Sequence, residues 1–110
     1  MNPLFTEQVE NLGEPYFLVL YWAARAEEYT TKYNITNCFD DLKAAQVTRT
    51  KQNAVAIVET LSALRFIDLR GEGNRRHLYI TQHGAKALEQ KIIKQQFTPK
   101  PSAFLEGQKR

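Results

Sequence analysis

The stretch from Thr60 to Glu89, "TLSALRFIDLRGEGNRRHLYITQHGAKALE", decides the fold. Apolar and polar residues alternate over 66–70 and again over 77–80, which is the pattern of half-buried strands. The "GEGN" sequence at 71–74 has the residue types that a tight hairpin turn needs. Thr81 is a favoured N-cap, and helical spacing of apolar residues resumes after it. The stretch therefore predicts the end of a helix, a β-hairpin and the start of another helix.

A short helix is predicted upstream, within "YNITNCFDDLKAAQ". Thr36 or Asn37 is the expected N-cap. This start places Asp40 and Asp41 in the first turn, where the helix dipole favours negative charge.

A longer helix follows over roughly 50–65, separated from the short one by "VTRT" at 47–50. Its apolar residues recur every three or four positions, and its start is polar. Two helices joined by a tight turn form a helix-turn-helix. A hairpin directly after the second helix makes the unit a winged helix. The predicted class is mainly α with a small β-hairpin (α+β), with further helices at both ends.

The flanking segments complete the predicted organisation. An arm or short helix is expected within 1–12, and an apolar helix from Pro15 to about Tyr29. A final helix begins after Thr81 and ends before Pro99. We expect one domain over 1–97 and a flexible tail over 98–110.

Charge is divided unevenly along the 110 residues. Residues 1–46 have three Lys/Arg and seven Asp/Glu, whereas residues 47–110 have twelve and five. A basic second half favours an anionic partner. No apolar run is long enough to cross a bilayer, and no signal peptide is recognisable, so a cytoplasmic location is expected. The single Cys38 is expected to be a small buried hydrophobe.

The segment from about Ala44 to Leu88 resembles the MarR/PadR-type winged-helix transcriptional regulators. The resemblance lies in the arginine pair Arg75-Arg76 and in the "ITQHG" step, Ile80 to Gly84. It implies a protein that binds double-stranded DNA in a sequence-specific way. Two positions depart from the family pattern: Arg65-Phe66 stands where a glycine is usual, and Asn74 stands where an aspartate precedes the arginine pair.

The residues themselves support a DNA contact. The longer helix would lie in the major groove, where glutamine and asparagine amides pair with adenine and a methyl group contacts thymine. The hairpin, about 70–77, would reach the flanking backbone or the minor groove, where arginine suits phosphate. The predicted DNA-binding residues are Arg49, Thr50, Lys51, Gln52, Asn53, Ala56, Arg70, Asn74, Arg75, Arg76 and His77.

No set of residues indicates catalysis, so the protein is not expected to be an enzyme. No Cys or paired acid lies at metal-ligand spacing from His77 and His83, and neither a metal nor a cofactor is expected. Nothing in the sequence marks an effector pocket. The alternative that remains open is a winged-helix module that binds another protein and not DNA.

A homodimer is also predicted, because winged-helix regulators commonly read two-fold symmetric sites. Both flanking helices are more apolar than a small core needs, and either could form the interface. The predicted interface residues are Phe17, Leu20, Tyr21, Trp22, Ile92, Ile93 and Phe97.

Overall fold

The computed structural model describes residues 13–73, 75–94, 97 and 99–108. The predicted arm within 1–12 lies outside these residues. In chain order the elements are α1 (Glu14–Glu28), α2 (Ile35–Ala44), α3 (Lys51–Ala63), β1 (Ile67–Glu72), β2 (Arg75–Ile80), α4 (Gln82–Ile93) and α5 (Ala103–Gln108).

Helix α1 forms the centre of the core. Gly13 precedes it, and Pro15 lies in its first turn, where a missing N–H costs nothing. Its consecutive residues Phe17 to Leu20 are all buried, as is Trp22. The apolar helix predicted from Pro15 is confirmed, and its consecutive buried residues show that more than one side of it is covered.

The helix-turn-helix is confirmed, but its first helix begins earlier than predicted. Asn34 is the N-cap of α2, and it forms a capping box with Asn37. The expected cap at Thr36 or Asn37 was therefore wrong. Asp40 and Asp41 consequently lie beyond the first turn, and Asp41 is buried.

Helix α3 turns its apolar face to the core as predicted. Ala54, Val58 and Leu61 are fully buried. Thr50 caps the helix, with its hydroxyl oxygen accepting a hydrogen bond from the Asn53 amide at 3.2 Å. The cap fixes where the polar first turn begins.

The hairpin has the predicted antiparallel pairing, in a register that runs from Ile67 opposite Ile80 to Glu72 opposite Arg75. We call this β1–β2 hairpin the wing. Its second strand also pairs with the segment that leads into α2: the Leu78 amide donates to the Tyr33 carbonyl at 2.8 Å. The wing is thus fixed on the helix-turn-helix.

Thr81 and Gly84 join the wing to α4. The Thr81 hydroxyl donates to the Arg65 carbonyl at 2.7 Å and accepts from the Gly84 amide at 3.0 Å. A Cβ on Gly84 would lie 2.0 Å from the Phe66 carbonyl oxygen. The Thr-x-x-Gly step therefore lets α4 start directly against the end of α3.

The segment 99–108 differs from the predicted flexible tail. It contains α5, and Ser102 and Leu105 within it are buried. The indole Nε1 of Trp22 donates to the Lys100 carbonyl at 2.8 Å. A hydrogen bond to a residue distant in sequence therefore holds part of the segment that the sequence predicts to be a tail.

Candidate nucleic-acid interface

The first turns of α3 present the predicted polar face to solvent. Lys51, Gln52, Asn53 and Ala56 are exposed, and so are Arg49 and Thr50 just before the helix. The buried residues of α3 lie on its other side. This half of the predicted site is therefore accessible to a large ligand.

The arginine pair at the start of β2 lies next to α3. A cleft forms where the wing meets the first turns of α2 and α3; we call it the basic cleft. It is lined by Asn34, Ile35, Thr36, Lys51, Val55, Arg75 and Arg76.

Three cationic side chains converge in the basic cleft. Lys51 reaches α2, with its Nζ donating to the Thr36 hydroxyl at 3.2 Å. Arg75 and Arg76 come from the other side. Because the three charges belong to elements separated in sequence, the fold and not local spacing brings them together.

The start of α2 lines the same cleft. The first amides of a helix have no intrahelical acceptor. The capping box satisfies the amides of Asn34 and Asn37. The amides of Ile35 and Thr36, between them, belong to residues that line the cleft. Helix N-termini of this kind favour anions.

Acidic groups nearby offset part of this charge. Glu59 Oε1 lies 3.8 Å from Arg76 Nη2, and both side chains are about half exposed. Such an exposed pair contributes little energy and is readily exchanged for a stronger anion. The basic cleft therefore keeps its excess of positive charge.

Arg70 is held elsewhere on the wing. Its Nε lies 3.1 Å from Asp68 Oδ2, and its guanidinium lies 4.6 Å from the centre of the Tyr79 ring. Asp68 and Arg70 are exposed and Tyr79 is half-buried. The three form a separate group, and the structure does not bring Arg70 to the cleft with Arg75 and Arg76.

The remaining predicted DNA-binding residues are His77 and Asn74. His77 is only 6% exposed, and it pairs with Asn34 in an isolated β-bridge. Its predicted DNA contact does not fit this burial, since the bridge holds it against the segment before α2. Asn74 lies outside the described residues.

Sequence reasoning missed the contribution of α2 to the cleft. Asn34, Ile35 and Thr36 were not among the predicted site residues, because the helix start had been placed at Thr36 or Asn37. The signal that could have found them is the Asn34–Asn37 spacing, which fits a reciprocal capping box.

Most of the predicted dimer interface is buried within the protomer. Phe17, Leu20 and Trp22 are at most 2% exposed. Phe97 packs on Phe17 and Tyr21, with ring centres 6.3 and 6.1 Å apart. These residues form part of one core and leave little surface for a partner, so their burial does not support this part of the predicted interface.

The C-terminal end of α4 remains exposed. Ile92 is 46% exposed and Ile93 is 70% exposed. They are the large apolar side chains that the described part of the chain presents to solvent. Ile92 and Ile93 are therefore the exposed residues of the predicted interface.

Comparisons with known proteins identify the fold. No protein-family model and no curated protein matches the chain. The solved structure of TubR from Bacillus megaterium pBM400 is similar, with a TM-score of 0.66, 22% identity, and coverage of 83% of this chain and 98% of that one. AF1382 from Archaeoglobus fulgidus is also similar, with a TM-score of 0.61, 16% identity, and coverage of 78% and 91%. The protein has a winged-helix fold, as the sequence predicted.

Two features of the described residues bear on other kinds of function. Within the described ranges, His, Cys, Asp and Glu form no group of three that could hold a metal ion. None of the described helices has the length and apolar character needed to span a membrane.

Proposed function

We propose that the protein binds double-stranded DNA as a transcriptional regulator of the MarR/PadR type. The observation that carries this proposal is the convergence of Lys51, Arg75 and Arg76 in an exposed cleft beside the start of α3. DNA carries one negative charge per roughly 1.7 Å of duplex axis, and cations that replace its counterions gain free energy.

Helix α3 enters the major groove with its N-terminal end first. Gln52 and Asn53 are exposed there, and their amides suit the N6 and N7 atoms of adenine. The Ala56 methyl lies one turn further on and suits the thymine methyl. Glu59 follows, near Arg76, where a carboxylate would repel phosphate. Its position favours insertion of the first two turns only.

The surrounding groups hold the DNA backbone. Arg49 and Thr50 precede α3 and are exposed. The wing places Arg75 and Arg76 on the flanking backbone or in the minor groove. Arg70 is assigned no contact, since Asp68 and Tyr79 hold it. A DNA partner also accords with the cytoplasmic location expected from the sequence.

Binding of fluorescently labelled random and genomic DNA fragments tests this function. On a preferred site, Gln52→Ala or Asn53→Ala should lose about 1–3 kcal/mol of binding free energy, with little loss on random DNA. Thr60→Ala is the matched control, an exposed substitution later on the same helix. Absence of binding by the parent protein to every fragment at low salt would contradict the proposal.

A protein-binding module is the second candidate. The contact that favours it is the approach of Glu59 to Arg76, which places a carboxylate at the edge of the cleft. A surface of mixed charge is more typical of a protein-binding site than of a DNA-binding site. If substitutions in the basic cleft abolish a complex with another protein, and the parent protein binds no DNA, this alternative is established.

We further propose that the protein forms a homodimer through the end of α4. Dimers let winged-helix proteins bind two half-sites about one helical turn apart. Ile92 and Ile93 are the exposed apolar residues that support this interface.

A further inference from the structure

Residues 99–108 lie across α1 and α2, and we call them the C-terminal strap. The strap is attached to α1 through the hydrogen bond from Trp22 Nε1 to the Lys100 carbonyl. Lys100 Nζ also lies 3.5 Å from Glu14 Oε1, an exposed pair. The remaining attachment is to α2 and is of a different kind.

Asp41 of α2 holds the strap through its carboxylate, in a position that is only 2% exposed. The Ser102 hydroxyl donates to Oδ2, and the Phe104 amide donates to Oδ1 at 3.0 Å. The third donor is the Tyr33 hydroxyl. A buried carboxylate is tolerated only when donors replace the lost water. Two of its three donors belong to the strap, so the buried charge and the strap depend on each other.

The neighbours of Asp41 remain neutral at ordinary pH. Burial raises the pKa of the Tyr33 phenol well above its usual value, and it raises the pKa of the Cys38 thiol in the same way. The attachment to α2 combines this buried carboxylate and its hydrogen-bond donors with apolar packing, since the centre of the Phe104 ring lies 6.0 Å from the centre of the Tyr33 ring and Leu105 is buried in the core.

We propose that the strap is a releasable latch, closed by the charge of Asp41, which detaches as a unit when that charge is removed. A cleft already lies between α1 and the strap, with Tyr21, Arg25 and Tyr29 on one wall and Pro99, Pro101 and Glu106 on the other. Release would widen this cleft and expose the indole of Trp22.

Most residues of the core lie outside the strap. Leu18, Val58 and Leu61 are fully buried in the core that α1 and α3 share, and Leu105 is the residue that the strap adds to it. The strap begins after Phe97, which packs separately on α1. Because α2 is the first helix of the helix-turn-helix, the latch connects the C-terminal segment to the proposed DNA-binding unit.

Trp22 is the single tryptophan of the chain, so its fluorescence reports the state of the latch. In the full-length protein, Asp41→Asn should shift the emission to longer wavelength and retain the helical circular dichroism. Chymotrypsin should then cleave at Phe104 at least about tenfold faster, since cleavage follows the open population and hydrogen bonds to a charged group are strong. Ser102→Ala should change both readouts in the same direction by a smaller amount.

Asp40→Asn is the matched control, because Asp40 is the exposed neighbour of Asp41. It should leave emission and cleavage unchanged. Parent-like emission and cleavage in Asp41→Asn would overturn the latch. Cooperative loss of helical signal in that variant would also overturn it, because the strap would then not detach as a unit.

Discussion

Three helices end in a residue with left-handed backbone that is not glycine. Thr30, Gln46 and Arg65 have φ angles of 52°, 61° and 65° after α1, α2 and α3. At the end of α3, the Phe66 amide donates to the Leu61 carbonyl and the Arg65 amide donates to the Ser62 carbonyl. This is the paired bonding of a Schellman cap, which glycine fills most easily. Arg65 occupies the place where the family pattern has glycine.

Arg65→Gly should therefore stabilise the protein. A residue other than glycine in the left-handed region costs roughly 1–2 kcal/mol, and Arg65→Gly removes this cost. The greater freedom of glycine in the unfolded chain offsets part of the gain. We expect the free energy of unfolding to rise by about 0.5–1 kcal/mol in urea titration. Arg65→Ala is the control and should change little, since its φ stays unfavourable. Equal stability of the two variants would contradict this account of the cap.

Alkaline pH should destabilise the fold through Cys38 and Tyr33. Burial raises the pKa of both groups above their ordinary values of 9.0 and 10.0. Above pH 9 the unfolded chain therefore loses protons that the folded protein keeps. The free energy of unfolding should fall by up to about 1.4 kcal/mol per pH unit for each group.

Denaturant titrations between pH 7 and 10.5 measure this loss. Both contributions are fully present below pH 9, so these groups leave stability unchanged from pH 7 to 8.5. Cys38→Ala should flatten the decline between pH 9 and 10, where the thiol acts first. If the free energy of unfolding of Cys38→Ala falls as steeply with pH as that of the parent, another group is responsible for the decline.

At the scale of elements, the contact between α4 and the end of α3 depends on one missing side chain. Gly84→Ala would place a Cβ 2.0 Å from a backbone oxygen of Phe66, which cannot move without displacing the Thr81 bonds. We expect a loss of about 3 kcal/mol or more in the free energy of unfolding. Thermal denaturation followed by circular dichroism measures it.

Gly71→Ala is the matched control, because a Cβ there meets no atom within 4 Å. It should change the free energy of unfolding by less than about 1 kcal/mol, the range of strand propensities. Similar losses in the two variants would mean that α4 is free to shift away from α3.

The elements that local rules specify were predicted from the sequence. The alternation and turn residues gave the wing, and Thr81 capped α4 as expected. The start of α2 was misplaced because "YNITN" contains several good caps. Local preference cannot choose between Asn34 and Thr36, whereas the bridge from Asn34 to His77 fixes the choice in the folded chain.

The parts that depend on distant contacts could not be predicted in the same way. The strap was interpreted as a tail, since nothing near Ser102 in sequence shows that it bonds to Asp41, 61 residues earlier. The basic cleft was predicted only in part. Lys51, Arg75 and Arg76 were identified by type and position, but the contribution of Thr36 arises from packing between helices.

At the scale of the whole molecule, most of the apolar residues that exceeded the needs of a small core are buried within the protomer. The aromatic residues of α1 contact Phe97 and the strap, so the chain covers them itself. The exposed end of α4 is what supports association.

We expect the protein to sediment as a dimer at tens of micromolar and Ile93→Asp to sediment as a monomer. Ile93 is 70% exposed, so the charge should not disturb folding of the protomer. Ala85→Asp adds the same charge at another exposed position of α4 and should remain dimeric. A monomeric parent protein would contradict the proposed interface.

The central claim is that the wing and the start of α3 hold the DNA backbone. The most direct test is the salt dependence of DNA affinity in the double variant Arg75→Ala/Arg76→Ala. Both side chains are exposed, so the fold should be unchanged. Each phosphate contact removed lowers the slope of log affinity against log salt by roughly 0.9, and the pair should lower it by up to about 2 per subunit. Arg25→Ala/Lys100→Ala removes the same charge beside the strap and should keep the parent slope. Parent-like binding by Arg75→Ala/Arg76→Ala at every salt concentration would contradict the account and favour a protein partner.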